Sequence, residues 1–129
     1  MARDRLERIP RERFRELVAQ AMDGIPSEIR ARVENVTVIV EDEPDGETLR
    51  SLDLDPEQDT LFGLYVGTPL AERGSGYSAL PDRIVLYYLP LTDEFGDDYH
   101  LRKEIRRTLV HEIGHYFGFS DKQLRRWGY

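Results

Sequence analysis

The stretch His111-Glu112-Ile113-Gly114-His115-Tyr116-Phe117-Gly118-Phe119-Ser120-Asp121 decides how the rest of the chain is read. On a helix, two histidines four residues apart project from the same face, about one turn above each other. Neutral imidazoles at that separation can hold one zinc ion from two corners of a tetrahedron. Glu112 follows His111 and turns toward the rim of that face, where a carboxylate can take a proton from water on the metal without being a ligand itself.

A catalytic zinc takes three protein ligands and keeps one position open. The third must arrive from beyond the helix, because Phe119, the next position on that face, cannot coordinate. Gly118 permits the left-handed backbone that ends a helix and reverses the chain. Asp121 then offers a carboxylate that can fold back onto the metal. A second role is open to Asp121: Ser120 and Gln123 make a capping box for a last short helix, with Asp121 as its first-turn acid. The two roles are compatible. A five-residue H-E-x-x-H match can arise by chance, but a chance match rarely falls inside a helical pattern and carries Gly and Asp at these offsets.

On these residues the chain resembles the minimal zincin-like metallopeptidases of bacteria. The stretches that carry the likeness are Val36–Pro44 (VTVIVEDEP), Leu61–Leu91 (LFGLYVGTPLAERGSGYSALPDRIVLYYLPL) and Leu109–Asp121 (LVHEIGHYFGFSD). The resemblance implies zinc held by His111, His115 and Asp121, with peptide-bond hydrolysis as the activity and Glu112 as the base. The ligand set is also similar to that of the snapalysin type of secreted protease. The metzincin pattern continues into a Met-containing turn. Here the only methionines are Met1 and Met22, so no such turn follows the site.

For 129 residues a single domain spanning residues 1–129 is the natural expectation, and that length can bury a core. No apolar run is long enough to cross a bilayer. The opening MARDRLERIPRERFREL is charged throughout and lacks the apolar middle of a secretory signal, which makes a cytoplasmic protein the default. With no cysteine there is neither a disulfide framework nor a thiolate metal site. A formal net charge of −7 argues against a general nucleic-acid binder. The basic cluster Arg102, Lys103, Arg106 and Arg107 reads as a solvated helix face. A membrane partner is not expected, and a monomer is the default.

Along the chain, Pro10 fits a first helical position, and Phe14, Leu17, Val18 and Ala21 recur at helical spacing up to Asp23-Gly24. A short helical turn can follow Pro26. Val36, Val38 and Val40 alternate with Asn35, Thr37 and Ile39 as a strand. The acidic stretch from Glu41 to Asp59 carries Pro44, Gly46 and Pro56 and reads as an irregular, solvated surface segment without the spacing of a calcium loop. Leu61 to Val66 is a second strand, Thr68 to Asp82 a long loop, and Arg83 to Leu89 a third strand, apolar on both faces and stopped by Pro90. Asp97 or Asp98 can cap a helix that runs to about Phe117. On it Leu101, Ile105, Leu109, Ile113 and Phe117 form the buried stripe. Glu104, Thr108, His111 and His115 lie on another stripe, facing a cleft. His100 reads as surface or cap.

These elements predict an α+β fold of the zincin-like kind. A small, twisted, mostly antiparallel or mixed sheet packs against helices, with the active-site helix near the C-terminus. The leading activity is zinc-dependent hydrolysis of a peptide or protein substrate. A zinc-stabilised interaction module without catalysis is the main alternative, and hydrolysis of a non-peptide amide a third. Glu112 speaks for catalysis, since a structural site has no need of a base. The sequence names no clear donor to the developing oxyanion: Tyr77, Arg73 and Tyr129 are candidates, and each also reads as a structural or surface residue. The strand Leu61–Val66 is expected at the sheet edge beside the cleft, where an extended peptide can pair with its free backbone groups.

Overall fold

In a computed structural model, residues 7–32, 36–67 and 82–126 are described. The chain opens with helix α1 (Arg11–Asp23), which begins one residue after the extended Pro10 rather than at it, and α2 (Ser27–Arg32). Strand β1 (Val36–Glu41) follows, then α3 (Gly46–Ser51) and β2 (Gly63–Val66). Strand β3 (Asp82–Tyr87) runs directly into α4 (Tyr88–Glu94), and the long α5 (Asp98–Tyr116) and short α6 (Asp121–Arg126) complete the order. No described helix is long and apolar enough to cross a membrane.

The sheet is mixed, in the order β1-β3-β2. β3 lies parallel to β1, with Val38 opposite Ile84, and antiparallel to β2, with Tyr65 opposite Ile84. The central place of β3 explains its apolar character on both faces: Ile84, Leu86, Val85 and Tyr87 are all buried. Strand β2 pairs with β3 alone among the described residues, so its other side has no strand partner among them.

Helix α5 is the hub. It contacts α1, α4, α6, β2 and β3. Leu101, Ile105 and Leu109 are fully buried and Ile113 nearly so, while Phe117, just past the helix end, is half-buried. The same core takes Phe14, Leu17 and Ala21 from α1 and Ile84 and Leu86 from β3. Phe14 meets Tyr88 edge-on at a ring separation of 5.2 Å. Asp97 caps α5, its side chain accepting from the His100 N–H at 2.9 Å, and the His100 ring turns back to the same carboxylate.

Two expectations need correction. The acidic stretch from Glu41 to Asp59 is not wholly irregular: Asp45 accepts from the Thr48 N–H at 2.7 Å and starts α3, whose Leu49 is buried. Pro44, Gly46 and Pro56 give the stretch the composition of a loop, and one cap with one apolar anchor outweighs them. The third strand ends at Tyr87 rather than Leu89, and Pro90 does not stop it but lies in the first turn of α4. At that position no helical partner awaits its missing N–H, so proline is tolerated there. The loop expected at Thr68 to Asp82 lies outside the described residues except for Asp82.

Phe14→Ala removes a side chain with no exposed surface and should lower unfolding free energy by about 3–5 kcal/mol, read from urea melts of the metal-free protein.

Candidate metal centre

The packing of α5 decides where its polar groups point. With Leu101, Ile105, Leu109 and Ile113 locked in the core, His111 and His115 stand on the open side, their ring centroids 4.8 Å apart. Beyond Tyr116 the helix closes in a Schellman motif. The Phe119 N–H donates to the Gly114 carbonyl and the Gly118 N–H to the His115 carbonyl, both at 2.9 Å. Gly118 takes φ of 89°, the left-handed backbone that a side chain resists.

The reversal delivers α6. Ser120 and Gln123 cap it reciprocally, Gln123 Oε1 accepting from the Ser120 N–H at 2.8 Å and Ser120 Oγ from the Gln123 N–H at 3.2 Å. Leu124 pins the helix by burying its side chain against Gly114, where a Cβ would lie 2.5 Å from Leu124 Cδ2. Only glycine lets the two helices come this close. Asp121 is thereby turned back over the histidines, 63% of its side chain still exposed.

Asp121 Oδ1 lies 3.0 Å from His111 Nε2 and 2.8 Å from His115 Nε2. One donor atom from each of the three residues falls within 4.8 Å of the others. A tetrahedral zinc with bonds of about 2.0–2.1 Å needs donor separations of about 3.3 Å, so a small outward movement would admit the ion. Two imidazole nitrogens and one carboxylate oxygen suit zinc in kind as well as in spacing.

Glu112 is buried, its side chain 8% exposed. Its Oε1 accepts from the Tyr65 N–H at 2.8 Å and faces His115 Nδ1 at 3.2 Å. Its Oε2 lies 4.0 Å from His111 Nε2 and has no hydrogen bond to any described residue. One oxygen is thus anchored and the other faces the His111 ring nitrogen. The Tyr65 amide reaches Glu112 on the side of β2 turned away from β3, which places that side of the strand against the site. By the alternation of an antiparallel ladder, Gly63 shares this outward orientation.

The electrostatics follow from these contacts. Glu112, and after it Asp121, push His115 up to about 9 against the opposing pull of burial. Asp121 is held below the ordinary carboxylate range, chiefly by His115 and less by His111. A raised histidine stabilises the metal-free fold fully below its unfolded value of 6.5 and loses that contribution as pH rises through about 9. The depressed Asp121 contributes fully above 3.8 and is lost as pH falls below it.

All four expected site residues therefore converge. The Tyr65 main chain was not foreseeable from side-chain identity, since any residue but proline supplies that N–H. Arg73, Tyr77 and Tyr129 lie outside the described residues.

Residues 33–129 match the family model described as zincin-like metallopeptidase. Among solved structures, a conserved hypothetical protein from Thermus thermophilus is similar to this chain at 25% identity and a TM-score of 0.58. The match covers 84% of this chain and 94% of that one. A search of curated proteins gives no match.

Zinc binding should release about one proton per ion at pH 7, because His115 enters protonated, and the number should fall toward zero above pH 9. Calorimetry in two buffers of different ionisation enthalpy reads this directly, and a count near zero at pH 7 would show His115 neutral beforehand. His111→Ala or His115→Ala should abolish tight binding, while Asp121→Ala weakens it, as measured by competition with a chelator. Tight binding retained in Asp121→Ala would leave that residue only its place in the first turn of α6.

Proposed function

The chain belongs to the zincin-like metallopeptidase family, and we propose that it is a zinc-dependent peptidase with His111, His115 and Asp121 as ligands and Glu112 as general base. The observation that carries the reading is the split environment of the Glu112 carboxylate. A side chain kept only for stability would satisfy both oxygens. Here Oε1 is fixed by Tyr65 and His115, while Oε2 is presented toward the ligand atoms.

When bound, zinc supplies an acidified water and polarises the scissile carbonyl. The residues of this chain do the rest. His115, donating through Nδ1 to Glu112, keeps Nε2 free as a ligand atom, so the base also sets the tautomer of a ligand. Glu112 Oε2 takes the proton of the attacking water and passes it to the leaving amine. Because Oε1 stays anchored to the edge strand, the carboxylate need not reorient between the two transfers. The free edge of β2 around Gly63 offers its peptide groups to an extended substrate, fixing the peptide beside the same carboxylate.

Glu112→Gln should bind zinc like the parent and lose peptide cleavage, because the amide keeps the size and cannot accept the proton at neutral pH. The measurement is cleavage of a diverse peptide library by zinc-loaded parent and variant, with metal content determined in parallel. Loss of zinc in the variant would make Glu112 a ligand and overturn the mechanism. Equal zinc with no cleavage by either protein would favour a zinc-stabilised peptide-binding module.

A further inference from the structure

Beside the ligand cluster opens a cavity of about 200 Å³. Phe62 and Gly63 on the side of β2, Thr108 of α5, and His111 and Glu112 line it. It also holds two charged groups that the mechanism does not use, Glu104 and Arg107. Glu104 shares a stripe of α5 with Thr108 and His111, so its carboxylate lies on the helix side that looks along the cavity. It is half-buried, and neither it nor Arg107 has a hydrogen bond or ion pair with another described residue. An anion partly withdrawn from water without a partner is costly, and the cost is recovered when a cation arrives.

Reach decides the size of that cation. From Glu104 to His111 the helix rises about 10 Å. A peptide lying at the ligand cluster therefore needs a long side chain to meet the carboxylate, and an extended lysine or arginine carries its charge about 6–7 Å from its α-carbon. A short or branched apolar side chain would leave Glu104 unpaired. Arg107 is exposed, so its charge is screened by solvent to a greater degree than that of Glu104.

We propose that this cavity receives a lysine or arginine side chain of the substrate, from a residue flanking the cleaved bond, with Glu104 as the specificity-determining residue. The proposal rests on the peptidase reading and adds the substrate class to it. Glu104 touches neither the ligands nor the base, so its replacement leaves the metal site intact.

The test uses the zinc-loaded full chain as parent, Glu104→Gln and Glu104→Lys, on a peptide library aligned at the cut. The parent should favour Lys or Arg over norleucine at one flanking position by about fivefold in kcat/KM. Glu104→Gln should reduce this preference to within about twofold, and Glu104→Lys should turn it toward Asp or Glu. Zinc content and melting temperature of each variant are measured alongside. A second arm follows the binding of uncut lysine- and norleucine-containing peptides to zinc-loaded Glu112→Gln by calorimetry, and the same order of preference is expected. Lysine preference in binding with no cleavage by the parent would sink the peptidase reading and uphold the cavity assignment. Cleavage without a basic preference, or with one that survives Glu104→Gln, overturns the assignment. A preference for Asp or Glu lost in Arg107→Gln overturns it too, by making Arg107 the reader.

Discussion

The apolar stripe of α5 fixes everything else in the site. Each residue of a helix advances about 100° around the axis, so burying Leu101, Ile105, Leu109 and Ile113 leaves no freedom in the direction of the others. His111 and His115 are aimed by hydrophobic packing some distance from the metal position. The rigidity comes from the core made with α1 and β3, to which Tyr88 and Leu91 of α4 also belong. A ligand pair held this way loses little conformational entropy when an ion arrives, because its backbone was ordered by folding.

Strand β2 is coupled to Glu112 in a different manner. Glu112 points inward from the histidine stripe and closes onto the backbone of β2 at Tyr65. Tyr65 is held in turn by its hydroxyl, which donates to the buried Asp82 at 2.6 Å, and by edge contact with Tyr116 of α5. A strand edge is normally a hazard for aggregation. At Tyr65 this one is covered by a carboxylate of the same chain, while Gly63 lines a cavity. Covering and use are thus divided between neighbouring residues of one short strand.

Much of this was legible in the sequence, for identifiable reasons. Long periodic segments declare themselves, which is why α1, α5, β1 and the central character of β3 could be read directly. The candidate ligands were legible as a group because coordination chemistry restricts residue type and the Gly118 reversal restricts geometry. What escaped was local or non-local in a way that pattern does not encode. Helix α3 depends on one cap at Asp45 and one anchor at Leu49, and α4 begins where a strand pattern continues through Leu89. The anchoring of Glu112 depends on a backbone amide far away in sequence, which no side chain announces. The close approach of Leu124 to Gly114 is likewise a matter of space: the glycine is visible in the motif, but its neighbour is not.

That approach has a consequence for how the metal is held. A helix of six residues does not persist by itself, so α6 exists only while Leu124 is seated and its cap is formed. Asp121, the proposed third ligand, therefore belongs to a latch with its own opening equilibrium. The apparent affinity for metal is the intrinsic affinity multiplied by the fraction of molecules in which the latch is shut. Thermodynamic reciprocity then requires the ion to shut the latch as strongly as the latch tightens the ion. On the proposed ligand set, hydrogen exchange within α6 thus becomes a gauge of metal occupancy.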